Sequence, residues 1–232
     1  MNPMLQPVQG YAGAGDLVSQ RQRVLRNTYW LLALSMLPTV LGAWIGVSTG
    51  IVATLHGGIG AMVFLGGAFA FMFAIEKTKE SAAGVFVLLG FTFFMGLMLS
   101  NLLAVMLGNY RNGASLIMTA FGGTAAVFFV MASLATVVKR DLSNLAKFLF
   151  VGVLLLIVAG LVNIFVHSSA LMLTLSVGAI VIFSIFMLID VKRVIDGGET
   201  NYITATLAIY LDIYNVFQSL LMILGVFGGE RK

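Results

Sequence analysis

A chain of 232 residues in which 60% are hydrophobic and only 9% charged cannot clothe a water-facing surface, since a soluble domain carries roughly a quarter charged residues. With no cysteine, disulfides, thiolate metal sites and cysteine nucleophiles are excluded, and two histidines with nine acidic residues leave little material for a metal cage. The net charge of +4 does not point to nucleic acid, because the basic residues sit between apolar runs and act there as topology signals.

Residues 1–28 are expected to form a flexible cytosolic N-terminal tail. Within them residues 1–20 contain Gly and Gln but no short apolar core followed by a cleavage site, so they read as a flexible tail rather than a signal peptide. Seven apolar stretches then fill residues 29–227, at 29–47, 53–75, 82–107, 114–138, 146–166, 170–190 and 203–227, before a short C-terminal tail at 228–232. Stretches of this length cross a hydrocarbon core about 30 Å thick as helices, which satisfy their own backbone hydrogen bonds. The links at 76–81, 108–113, 139–145 and 167–169 are short, and the longest, at 191–202, holds Gly197 and Gly198. Short links make consecutive helices antiparallel neighbours. The fold class is therefore an all-α integral membrane protein of seven transmembrane helices.

Placing the N-terminus inside puts Arg21, Arg23, Arg26, Lys77, Lys79, Lys139, Arg140, Lys147, Lys192 and Arg193 on the cytosolic side, 10 of the 13 basic residues. Arg111, Arg231 and Lys232 fall outside. The positive-inside rule thus favours an inner-membrane protein with a cytoplasmic N-terminus and an external C-terminus. Small residues recur within the spans, at Gly42 and Gly46, at Gly57, Gly58 and Gly60, at Gly66 and Gly67, and at Gly122 and Gly123. They suit close helix packing within the chain, and Gly42-x-x-x-Gly46 also has the spacing of a homodimer face.

An ionisable group inside a span is costly, on the order of 3 kcal/mol on insertion scales, so each is a candidate functional residue. Asp212 lies nine residues into the last span, roughly 13 Å below its cytosolic edge at 1.5 Å per residue. Asp190 closes the sixth span. Val191, Val194 and Ile195 continue its apolar stripe, so a further helical turn would bring Asp190 inside the boundary with Lys192 and Arg193 snorkelling outward. Antiparallel sixth and seventh helices let Asp190 and Asp212 meet. Two such carboxylates in low dielectric do not both ionise cheaply; they share a proton and titrate as a pair. The pair would act as a pH latch and, opened, as a transient oxygen site for Ca²⁺. The alternative is an Asp212 that only bonds a neighbouring helix and an Asp190 in the headgroup region.

Ala208, Asp212, Asn215 and Ser219 share one helix face. With Asn101 and Asn163, in the outer thirds of the third and fifth spans, Asn215 and Ser219 are candidate pore-lining residues on a polar route towards Asp212. The alternative is that they are polar glue between helices. His56 and His167 sit at outer ends of spans as interfacial residues. Tyr202, Tyr210 and Tyr214 read as belt or packing aromatics, and Glu76, Lys77, Lys79 and Glu80 as a solvated cytosolic turn. No resident cofactor is implied.

Catalysis is not expected. The last span has no lysine for a retinal Schiff base, there is no H-E-x-x-H pair, and both histidines lie at span edges, away from any intramembrane serine nucleophile. Asp190 follows Ile189 and Asp212 follows Leu211, which are not the Y-D and G-x-G-D settings of an aspartyl intramembrane protease.

The runs Ile189-Asp-Val-Lys-Arg-Val-Ile, Gly197-Gly-Glu-Thr-Asn-Tyr-Ile, Tyr210-Leu-Asp-Ile-Tyr-Asn-Val-Phe and Leu220-Leu-Met-Ile-Leu-Gly resemble the Bax inhibitor-1, or transmembrane Bax inhibitor motif, family. Val24-Leu-Arg-Asn-Thr-Tyr and Gly122-Gly-Thr-Ala-Ala-Val-Phe-Phe are similar to its bacterial YccA-like branch, which modulates the membrane-anchored AAA protease FtsH. The resemblance implies a seven-helix bundle with the last helix at its centre. It also implies a pH-sensitive Ca²⁺ leak controlled by an Asp pair, at Asp190 and Asp212 here. Channel-type members carry an Arg in the second span that competes for the pair, and residues 53–75 contain none. The protease-modulating branch can lack the pair, which this chain has. Two functions are thus implied: a calcium or cation leak channel, or a binding partner and modulator of the protease without transport activity.

Overall fold

The computed structural model describes the backbone of residues 12–54 and 57–232, and the side chains of residues 17–52 and 58–232. Among the described residues there are seven helices long and apolar enough to cross a membrane. They are α1 (Ala12–Thr49), α2 (Gly57–Thr78), α3 (Ala82–Asn109), α4 (Gly113–Val137), α5 (Ser143–Val166), α6 (Ser169–Asp196) and α7 (Tyr202–Gly228), with a 3₁₀ turn at Ile51–Thr54. The chain is a multi-pass, all-α membrane protein.

Two helices extend well past the stretches that hydropathy marks out. Helix α1 reaches back to Ala12, so residues 12–28 are helical where a flexible tail was expected; residues 1–11 lie outside the described part. The run Gln20-Arg-Gln-Arg-Val-Leu-Arg is made mostly of strong helix formers, free of Gly and Pro. Tertiary contacts fix the extension. Thr28 is fully buried, its carbonyl accepts a 3.3 Å bond from Thr206 Oγ1 on α7, and Arg21 lies against Gly197 at the end of α6. Helix α6 runs on to Asp196, which brings Asp190 inside the helix.

Helix α7 is the core of the bundle. No side chain between Tyr202 and Gly225 is exposed, and α7 packs against α1, α2, α3, α4 and α6. Its tyrosines are packing residues: Tyr210 and Tyr214 are both buried. Tyr210 Oη pairs with Thr39 Oγ1 of α1 at 2.9 Å, and Tyr214 Oη donates to the Met95 carbonyl of α3 at 3.4 Å. Helix α5 sits at the periphery against α6, and Phe148, Phe150, Leu155 and Phe165 are exposed along it. An apolar surface of this extent is stable only against lipid.

Gly42 and Gly46 form the seam between α1 and α3. A Cβ at Gly42 would overlap the Phe93 carbonyl, and one at Gly46 would overlap the Ser100 side chain. Reciprocally, a Cβ at Gly96 of α3 would strike the Thr39 carbonyl and the Ala43 amide of α1. The Gly42-x-x-x-Gly46 notch is thus filled within the chain.

The α6–α7 link closes by two local devices. Gly197, at φ 79°, ends α6 in the left-handed region that only glycine adopts freely, and the Gly198 N–H returns to the Arg193 carbonyl at 2.9 Å. Asn201 caps α7, accepting from the N–H groups of Ile203 (2.8 Å) and Thr204 (3.3 Å). Its amide nitrogen donates to the Lys79 carbonyl (2.9 Å) and to Glu80 (3.2 Å), tying this link to the one between α2 and α3. Asn201→Ala removes cap and tie together. It should destabilise the protein by about 2 kcal/mol, the upper end for a lost cap, read as a lower thermal midpoint in detergent.

At the opposite face the short C-terminal tail is bonded to the link between α3 and α4. Asn112 Nδ2 donates to the Gly228 carbonyl at 2.7 Å, and the Lys232 N–H to the Asn109 carbonyl at 3.0 Å.

Candidate functional site

Helices α6 and α7 run antiparallel after their tight link, and the extension of α6 sets Asp190 beside Asp212. Asp212 is the eleventh residue of α7, roughly 15 Å along its axis. It is only 4% exposed, and its carboxyl lies within hydrogen-bonding reach of Asp190. Among the described residues, Asp212 Oδ2 is the one fully buried side-chain oxygen or nitrogen with no donor from elsewhere in the protein. A buried acceptor without a donor carries a desolvation penalty of about 1–3 kcal/mol, more when charged. Asp190 faces it with another carboxyl, which brings a donor only when it carries a proton.

The charged groups facing the pair are few. Arg193 Nη1 lies 3.9 Å from Asp190 Oδ1, one helical turn on, and Glu199 of the link adds negative charge on that side. Helix α2 has no arginine, and among the described residues Arg193 is the one cation within 4 Å of Asp190. It is half exposed, in keeping with an outward-reaching side chain. Lys192 is not: its side chain is 10% exposed and pairs with Asp196 at 2.6 Å. The expectation that Lys192 snorkels to water fails because the extra turn of α6 supplies a partner at i+4.

The remaining candidates do not converge on the pair. Asn215 turns back onto its own helix, donating to the Leu211 carbonyl at 2.7 Å. Ser219 is buried further along α7. Asn101 is exposed on α3, and Asn163 accepts from the Ser168 N–H at 3.0 Å, which makes it part of the α5–α6 turn. His167 also belongs to that turn. It is exposed, ends α5 at φ 54° and holds Nδ1 3.1 Å from the Phe165 carbonyl. His56 lies outside the described residues. Among the described residues no group of three or more His, Cys, Asp or Glu comes together as a metal site. A cation at Asp190 and Asp212 would need further oxygens from water or backbone.

Outside the spans, the Glu76–Glu80 turn is solvated as expected. The Lys79 ammonium is bonded to Glu76, which holds it above the ordinary lysine value. One residue escapes the sequence reading: Asn201, whose signal is an Asn just ahead of an apolar run. Arg193 is read there as an outward-reaching side chain, and its i+3 spacing from Asp190 is the signal for the contact the structure adds.

Compared with known proteins, the chain matches the family model described as "Inhibitor of apoptosis-promoting Bax1" over residues 21–229. An uncharacterized protein of Neisseria meningitidis serogroup A is 37% identical over 213 residues, covering 90% of this chain and 93% of the relative. The "Modulator of FtsH protease YccA" of Escherichia coli K12 is 35% identical over 203 residues, covering 88% of this chain and 90% of the relative. With the same figures, its counterpart in Escherichia coli O6:H1 is named "Inner membrane protein YccA".

Proposed function

The chain belongs to the Bax inhibitor-1 family, and from that membership and its acidic pair we propose that it is a pH-sensitive leak pathway for calcium or a similar cation, gated by Asp190 and Asp212. The observation that carries the reading is the buried Asp212 carboxyl, with one oxygen undonated and a second carboxyl against it. One proton held between the two supplies that donor and closes α6 against α7. When the proton leaves, two like charges face each other in low dielectric and the helices separate at this point. Arg193 is placed to take up Asp190, which frees Asp212 to meet a cation. Calcium is the ligand and cargo, the protein holds no resident cofactor, and no bond-making chemistry is involved. The protein sits in the inner membrane with the N-terminus cytoplasmic. The test is Ca²⁺ flux into proteoliposomes between pH 5 and 8, for the unaltered protein and Asp212→Asn.

A second reading is favoured by the relative named as an FtsH modulator. Here the chain binds a membrane-anchored AAA protease, residues 1–20 are the segment the protease engages, and the glycine-packed bundle resists extraction. Deleting residues 1–20 should then abolish inhibition of the protease at least tenfold in a degradation assay. A shortened protein that still copurifies with the protease and inhibits it fully would remove the tail from this role.

A further inference from the structure

On the face that carries the start of α1, a groove of about 730 Å³ opens between the α4–α5 link, the first turns of α5 and the last turns of α6. Among the described residues five cations line it, Lys139, Arg140, Lys147, Lys192 and Arg193, against two carboxylates, Asp141 and Asp196. Both carboxylates are already engaged. Asp141 accepts from the Ser143 N–H (2.8 Å) and hydroxyl (2.6 Å), bonds that hold its carboxyl below the usual range, and Asp196 pairs with Lys192. Lys139, Arg140 and Lys147 form no ion pair with any described residue, so the groove keeps an uncompensated positive field.

The lower wall of the same groove is apolar, formed by Ala146, Phe150, Phe186 and Ile189. Phe150 is 58% exposed. Helix α4 ends at Val137 and α5 begins at Ser143, so the groove straddles the level where hydrocarbon gives way to headgroups. A free anion would use only the basic rim. A molecule with a phosphate above and an acyl chain below uses both parts, and the volume lies within the range of ligand sites. We propose that this groove binds an anionic phospholipid of the leaflet on the N-terminal face, its phosphate held by Lys139, Arg140 and Lys147 and its first acyl carbons lying on Phe150 and Phe186. Basic residues at a membrane surface attract anionic lipid individually; here three of them converge on one concave, half-apolar site. The inference stands apart from the leak reading, since neither acidic residue of the latch takes part and the phosphate is held without Arg193.

Native mass spectrometry of the full-length protein in detergent, titrated with phosphatidylglycerol or phosphatidylcholine, tests the site. The unaltered protein should retain phosphatidylglycerol in preference. K139Q/R140Q/K147Q should weaken that retention at least tenfold, and the charge-preserving K139R/K147R should keep it. R23Q/R26Q, on the same face but outside the groove, should also keep it. Equal retention of phosphatidylcholine, or an equal loss in R23Q/R26Q, would overturn the proposal. So would displacement by inorganic phosphate at the lipid's own concentration, which would mark a simple anion site. Displacement by a Glu-rich peptide without lipid selectivity would likewise overturn it and mark a protein partner.

Discussion

Asp212→Asn is expected to leave the protein folded and its leak low and flat from pH 5 to 8. The carboxamide is nearly the size of the carboxyl and donates an N–H to Asp190 at every pH, so it mimics the pair with its proton in place. Two unit charges about 4 Å apart repel by about 4 kcal/mol at an effective dielectric constant near 20. That repulsion is the force lost in the variant. The sign follows from the proton count: the unaltered pair is closed while it holds its proton and opens as rising pH removes it. Flux in the unaltered protein should therefore rise with pH by at least tenfold, the factor that corresponds to about 1.4 kcal/mol. In Asp212→Asn the ratio should fall to about one. Asp190→Asn should act in the same direction, and the double variant should add little, because one shared proton is removed either way; pairs in contact couple by roughly 0.5–3 kcal/mol. An unchanged pH profile in Asp212→Asn would refute the gate. Absence of flux above empty vesicles at any pH would shift the weight to the protease partner.

Gly96→Val should be the most damaging substitution outside the acidic pair. The atoms a side chain would strike there are backbone, the Thr39 carbonyl and the Ala43 amide, and neither can swing aside as a side chain would. Helices α1 and α3 would have to separate along the seam of Gly42, Gly46 and Gly96. Overpacking a tight core typically destabilises by about 1–3 kcal/mol, and a clash with fixed backbone belongs at or above the top of that range. The expected result is loss of monodisperse protein on extraction, or a large fall in the thermal midpoint. Gly160→Ala is the matched control: nothing lies within 4 Å of its added carbon, so it should be neutral or raise stability by up to about 1 kcal/mol through helix propensity. If the two variants behaved alike, the seam would not be what holds α1 on α3.

The reading of Asp190 and Asp212 shows how far a sequence reaches in a membrane protein. An acidic residue in an apolar run is conspicuous wherever it points, and a short Gly-rich link makes its two helices neighbours, so the pair was legible. The polar route was not. Asn101, Asn163 and Asn215 stood out equally well, yet one is exposed, one closes a turn and one bonds its own backbone. An Asn or Ser within a helix can always satisfy itself on a carbonyl four residues back, so its presence says nothing about a partner across the bundle.

What the sequence determined by itself is the class and the count: a membrane protein with seven spans, alternating in direction, with basic residues gathered on one face. These rest on hydropathy and charge, which are local and additive along the chain. Only the tertiary structure decided which way each helix turns. It set α5 at the edge, seated Gly42 and Gly46 on α3, and drew residues 12–28 into α1, while the central place of α7 is one that the family resemblance already implies. It also buried Lys192 beside Asp196 and tied Asn201 across two links. The physical reason is that lipid and protein interior are equally apolar. A span greasy on every side carries no periodic mark of its buried face, and facing is settled by packing and by single polar bonds between distant residues.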